Sequence, residues 1–258
     1  TGGAILLDAN PVEIRFTPVN VVTPYMTQEG GQLSGLTIAG MPVASRDDGV
    51  LGGGTLGALF AVRDELAPAA QQQIDGFARE LVERFSSTAA DSTLTPGTPG
   101  LFTDSGSAFD PVDEVGLASR IGVNALVVPE EGGALWRLRD GLGAVSAGPV
   151  SNATQLQALA DTLSATQAPA SSSFSTAQRN MSGLAADMLS SASQNRQTAE
   201  VTESYAIARQ ETATEMSLAD GVDTDYELQT LLKVEQAYAA NAKVIQTLDT
   251  LLQQILEI

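Results

Sequence analysis

From Val222 to Ile258 the chain runs 37 residues without a Gly or a Pro, and this run limits the fold more than any other stretch. Leu231, Tyr238, Ile245 and Leu252 recur every seven residues, and so do Val234, Asn241, Leu248 and Ile255, offset by three. Together they fill the a and d positions of a heptad repeat, the seam of a packed helix. A third row, Ala237, Val244, Leu251 and Ile258, is also apolar, so the stripe is wider than one coiled-coil seam. Each large residue in it gains about 1.5–3 kcal/mol on burial. One antiparallel partner cannot cover three rows, which predicts packing against further helices or further copies of the chain. Asn241 is the one polar member of the a/d set. Buried, it would fix register at some cost in stability; turned outward, it would reach water or a backbone carbonyl, and the pattern leaves both open. The opposite face carries Gln229, Gln236, Gln246, Gln253, Gln254, Thr247 and Thr250, with Lys233 and Lys243 as its basic groups. Amides and hydroxyls need partners when buried but carry no ionic desolvation penalty, so such a face suits an assembly. A merely soluble amphipathic helix would show much of the same pattern.

A second long helix precedes this one. Ala185, Ala192, Ala199, Ala206 and Ala213 recur every seven residues, a row along which another helix can approach closely. Asp220-Gly221 breaks the pattern, and Thr224-Asp225-Tyr226-Glu227 fits a capping box at the next helix start. The expectation is a long antiparallel helical hairpin over residues 174–258, a coiled-coil-like rod roughly 50 Å long.

The rest of the chain reads differently. Residues 1–52 form a β-rich segment, part of an outer domain: Val12–Phe16 alternates apolar and polar, and Leu36-Thr37-Ile38 sits between glycine turns. Residues 53–173 mix helix and strand. Leu56–Glu65 predicts a short helix. Ile74, Phe77, Ala78, Leu81, Val82 and Phe85 predict a longer one, with Pro68 in its first turn. Residues 86–113, rich in Ser, Thr, Gly, Pro and Asp, predict a flexible loop. Ile121–Val127 and Trp136–Arg139 alternate like strands, residues 151–166 read as a short helix, and Pro169 with Ser171-Ser172-Ser173 marks a hinge. The fold class expected is α+β: elongated, with β-rich segments and a helical hairpin rod.

Composition narrows the chemistry. There is no His and no Cys, which excludes Ser-His-Asp and Cys-His catalysis, imidazole or thiolate metal ligands and disulfides. A net charge of −18 argues against nucleic acid or an anionic membrane as a partner. No apolar run is long enough to span a bilayer. Because the chain starts at Thr1, it reads as a fragment or processed form. Gly52-Gly53-Gly54-Thr55-Leu56-Gly57, with Asp75 downstream, matches a dinucleotide fingerprint by letter, but turn-like sequence precedes it where a strand is needed. Asp220, Asp223, Asp225 and Glu227 are better explained by helix capping than by calcium. Asp113-Glu114 and Glu130-Glu131 sit in turn-like sequence, where solvated charge outweighs acid–base catalysis. No catalytic, cofactor or metal residues are assigned, and the chain is expected not to be an enzyme.

Asp220–Leu228, followed by Glu235-Gln236-Ala237-Tyr238-Ala239-Ala240-Asn241-Ala242-Lys243-Val244-Ile245-Gln246-Thr247, resembles the C-terminal signature of bacterial flagellar axial proteins. Gly30–Leu36, Gly53–Leu59 with Arg63-Asp64, and Leu135–Gly141 resemble the hook-associated protein 1 family of the hook–filament junction. The resemblance implies a secreted structural protein, exported by the flagellar type III channel to the extracellular flagellum. It would be assembled through Leu231, Val234, Tyr238, Asn241, Val244, Ile245, Leu248, Leu251, Leu252 and Ile255. The implied partners are copies of itself, hook protein, a second hook-associated junction protein, and an export chaperone that masks the C-terminal helix. An N-terminal helix normally pairs with that helix in the family, and none is found here. The alternatives are an adhesin or ligand-binding module on a helical stalk and, more remotely, an acidic hydrolase.

Overall fold

The computed structural model describes residues 12–28, 30–43, 54–219 and 224–256, excepting the side chains at 219, 224–226 and 247–256. The chain is α+β and divides into two units, Thr1–Ala192 and Ser193–Ile258.

The first unit opens with a three-stranded antiparallel sheet of β1 (Ile14–Arg15), β2 (Leu36–Ile38) and β3 (Met41–Val43), with β2 in the middle. Ile38 pairs with Met41 across the two-residue turn Ala39-Gly40. Both turn residues have positive φ, 52° and 76°, the hand that suits a tight hairpin. Pro42 lies on edge strand β3, where a missing N–H costs least. Leu36 and Ile38 face Phe60 of α1 (Gly54–Ala61), with Val12 and Val43 closing the cluster. Phe16 meets Phe60 edge-on at 6.0 Å. The sheet and α1 form a small head.

Helix α1 does not end before the next helix, as two separate periodic stretches would suggest. A π-turn at Val62–Leu66 carries it into α2 (Ala67–Phe85). The Ala67 N–H bonds to the Val62 carbonyl five residues back. Pro68 explains the wide turn: its ring would press on the Asp64 carbonyl in a regular helix, and it has no N–H to give.

The body packs around α2. Ala78 and Val82 bury against Leu117 of α3 (Leu117–Arg120), with Phe102, Phe109, Ala118 and Ile121 completing the cluster. Of the expected apolar stripe, Ala78, Val82 and Phe85 are buried, Phe77 and Leu81 are half-buried and Ile74 is exposed. Phe85 meets Phe102 edge-on at 5.2 Å.

Residues 86–113 are turn-rich, but they also contain β4 (Phe102–Asp104), paired with β5 (Ile121–Val123). Buried side chains pin them. Asp91 accepts from the Leu142 N–H at 2.7 Å and the Thr93 N–H at 2.9 Å, and Gln155 donates to the Ala90 carbonyl at 2.6 Å. Strand β5 stops at Val123, and Ala125–Val127 turns as a 3-10 helix capped by the Asn124 carboxamide.

Trp136–Asp140 is helix α4 rather than a strand, since four alternating residues are too few to separate the two periods. Helix α5 (Thr154–Ser164) lies where a short helix is expected. The serine segment is a pinned strap rather than a hinge: Ser171 is buried and its hydroxyl donates to Glu114.

Helix α6 (Met181–Ala219) is 39 residues and about 58 Å long. Its first turn is anchored in the body by Met181 and Leu184, both buried, so the division between units falls inside this helix. Helix α7 (Thr224–Leu256) has 33 residues and spans about 50 Å.

Candidate assembly surface

Helix α7 begins at Thr224, the residue the capping pattern marks, and it runs on because nothing in its sequence breaks it. Every described side chain from 227 to 246 is exposed. Leu231 is 64% exposed, Val234 60%, Tyr238 79%, Val244 58% and Ile245 65%. Asn241 is exposed as well, so within this chain it reaches outward and fixes no buried register. Leu248, Leu251, Leu252 and Ile255 lie on the same helix, with side chains outside the described residues. Leu231, Val234, Glu235, Tyr238 and Ala239 line a shallow apolar groove. Leu228 and Leu232 are 56% and 52% exposed and extend the apolar surface beyond the rows read from the heptads. Their positions fall outside the a/d rows and the third row, so the seven-residue search passes over them.

Charge on this surface is balanced. Residues 227–246 carry two acidic and two basic side chains, Glu227 and Glu235 against Lys233 and Lys243. In a protein of net charge −18 the acidic excess therefore lies elsewhere. Contact between two such faces incurs little like-charge repulsion, and the balance removes one obstacle to self-association.

Helix α6 presents a related surface. Ala192, Ala199, Ala206 and Ala213 are exposed, while Ala185 is half-buried. Val201, Tyr205 and Met216 are exposed by 51%, 70% and 64%. The hydroxyls of Thr198, Thr202, Thr212 and Thr214 each donate to the carbonyl four residues earlier, at 2.8–3.0 Å. A threonine satisfied within its own helix can be covered by a neighbour without leaving an orphaned donor.

Of the carboxylates with a chemical reading, Asp75 and Glu114 hold the fold together. Asp75 is 2% exposed and accepts from the Gly116 and Ala118 N–H groups at 2.7 and 2.8 Å, which holds α3 on α2. Glu114 pairs with Arg79 at 2.6 Å. Glu130 and Glu131 sit exposed in a 3-10 turn, and Asp113 is exposed. Asp220, Asp223 and Asp225 have side chains outside the described residues. Gly54 and Gly57 enter α1, and both described sheets are antiparallel, whereas a dinucleotide site is built on a parallel βαβ unit.

The polar residues that periodicity misses are the buried ones. Glu80 and Arg84, each 1% exposed at the side chain, form an ion pair at 3.0 Å. Arg84 also donates to the Ala165 and Arg179 carbonyls at 3.0 Å, and Glu80 accepts from the Ala170 N–H. Their i, i+4 spacing on α2 is the only trace in the sequence, and it is the same trace a solvated surface pair leaves.

Residues 214–258 match the family described as flagellar basal body rod FlgEFG protein C-terminal. No curated protein and no solved structure matches the chain. The matched segment spans all of α7, including every residue of its apolar rows. The match covers 45 of the 258 residues and makes that C-terminal segment similar to flagellar axial proteins.

Proposed function

We propose that this chain is a non-catalytic structural subunit of the hook–filament junction, assembled through its C-terminal helices. One observation carries the reading. The apolar face of α7, with Leu231, Val234, Tyr238, Val244 and Ile245 each at least 58% exposed, lies in the segment that matches an axial-protein family. Leu248, Leu251, Leu252 and Ile255 continue the rows and complete the proposed interface, with Asn241 among them. The internal blocks Gly30–Leu36, Gly53–Leu59 and Leu135–Gly141, similar to the hook-associated protein 1 family, favour the junction over the rod or hook.

On this reading the protein leaves the cell through the flagellar type III channel and works in the extracellular flagellum. Its neighbours are copies of itself, hook protein and a second junction protein. An export chaperone covers α7 beforehand, because an exposed apolar helix aggregates when left bare. The test is a cell making the full protein with Leu231→Asp and Ile245→Asp. The expected result is export at normal levels with hooks that carry no filament; normal filaments and swimming would refute the assignment.

A further inference from the structure

Among the described residues, the head, made of β1–β3 and α1, meets the body at places of two different characters. One is the π-turn between α1 and α2. The other is a hydrogen bond from the Arg120 guanidinium to the Tyr25 hydroxyl, 2.8 Å long. From these we infer that the head is a movable part: the π-turn at Val62–Leu66 is its joint, and the Tyr25–Arg120 contact is its latch.

The joint follows from the helix geometry. A π-turn holds one residue more than an α-turn, so converting it to regular helix would rotate everything before it by about 100° around the helix axis. Pro68 weights the turn toward its wide form, because in the narrow form its ring presses on the Asp64 carbonyl, so motion in the parent is flexing of the wide turn rather than full conversion. Arg63 of the turn is committed to the head. Arg63 pairs with its neighbour Asp64 at 2.6 Å, donates to the Ser34 carbonyl at 3.0 Å and lies 4.9 Å over the Phe60 ring. Phe60 in turn packs on Leu36 and Ile38. Sheet, α1 and Arg63 therefore move as one piece.

The latch is suited to opening. Arg120 is fixed on the body side, bidentate to Asp104 at 2.8 and 3.0 Å and bonded to the Val115 and Asp113 carbonyls. Tyr25 is 57% exposed, so water can replace its hydroxyl on the guanidinium at little cost. Pro24 and the Tyr25 hydroxyl lie beside Gly116, which has no side chain to grip them. The inference concerns the first unit alone and stands or falls apart from the flagellar reading.

The chain has no cysteine, so spin labels can be placed without removing any residue. Met41 on β3 and Val112 on the body are 67% and 82% exposed and accept labels as Met41→Cys and Val112→Cys in the full chain. Double electron–electron resonance should show a dominant distance in the labelled parent. Tyr25→Phe should add a second distance, with the open fraction rising roughly threefold, the net weight of a hydrogen bond that water can replace. Pro68→Ala should displace the distance by letting the turn narrow. If either variant leaves the distribution unchanged, the inference is wrong. It is equally wrong if the second distance comes with lost exchange protection at the Ile38 amide, because the head is then melting rather than turning.

Discussion

Replacing Arg84 by Met tests how the body is held together. Arg84 and Glu80 are each 1% exposed at the side chain, and the guanidinium donates to Glu80, to the Ala165 carbonyl and to the Arg179 carbonyl. Methionine fills much of the volume but supplies no donor. Glu80 then keeps only the Ala170 N–H among its described partners, with its charge buried; the Ala165 carbonyl loses the Arg84 donor, and the Arg179 carbonyl keeps the Gln167 N–H. Removing one partner of a buried ion pair costs about 3–5 kcal/mol, because the surviving charge is uncompensated. For a unit of this size, ~4 kcal/mol lowers Tm by about 10 °C. Differential scanning calorimetry measures it directly, with near-ultraviolet circular dichroism of Trp136 as a local reporter. The double variant Glu80→Leu with Arg84→Met removes both charges together and should recover a substantial part of the loss. A single variant melting within 2 °C of the parent, or a double variant worse than the single, would refute the view that this pair is held by mutual compensation.

Other perturbations have equally definite outcomes. Gly76→Ala should destabilise the body by about 1–3 kcal/mol, visible in the urea midpoint, despite alanine's better helix propensity. A Cβ there would sit 2.1 Å from the Ser173 hydroxyl and 2.6 Å from that of Ser171, and Ser173→Ala should return part of the loss. Ala39→Gly should stabilise the head by roughly 0.5–1 kcal/mol, slowing exchange of the β2–β3 amides, because alanine at φ 52° is in the left-handed region that glycine occupies freely. The hydrogen bond from Arg139, then that from the Gly148 N–H, holds the Asp140 carboxyl below its usual range. A depressed folded value stabilises above the unfolded value of about 3.9 and loses that stabilisation as pH falls through the folded one. Exchange at the Gly148 amide should therefore accelerate only below about pH 4, and Asp140→Asn should abolish that step.

How far the sequence announces this structure depends on what a residue contacts. Helix α7 and the short strand Leu36–Ile38 are legible because their signals are local: an unbroken heptad run, and an apolar segment between glycine turns. The apolar stripe of α2 is legible for the same reason, although Ile74 lies outside the core it helps to predict. Trp136–Asp140 misleads because four residues fit a strand and a helix equally well. The pinning of residues 86–113 and of the serine strap is invisible, since Asp91, Glu80 and Arg84 act on carbonyls and amides distant in the chain. A buried carboxylate looks like a surface one until its partners are known. Of the surface on α7, the rows at seven-residue spacing are readable, whereas Leu228 and Leu232 emerge only from their exposure.

The two units handle polarity in opposite ways, and the contrast bears on what α7 is for. The first unit has many glycines and few strand hydrogen bonds, so it stabilises its turns with buried side chains: Asp75, Glu80, Arg84 and Asp91 are each at most 3% exposed. Charge goes inward there and is satisfied. In the second unit the apolar side chains go outward and stay unsatisfied. Leu231, Val234, Tyr238, Val244 and Ile245 would each gain about 1.5–3 kcal/mol on full burial, most of it unrealised at the exposures they have. A long helix draws most of its stability from packing an apolar face rather than from propensity, so this helix is incomplete until something covers it. The balanced charge of residues 227–246 and the internally bonded threonines of α6 remove the usual penalties for covering a helix. On the proposed function, a surface arranged in that way is one side of a helical assembly.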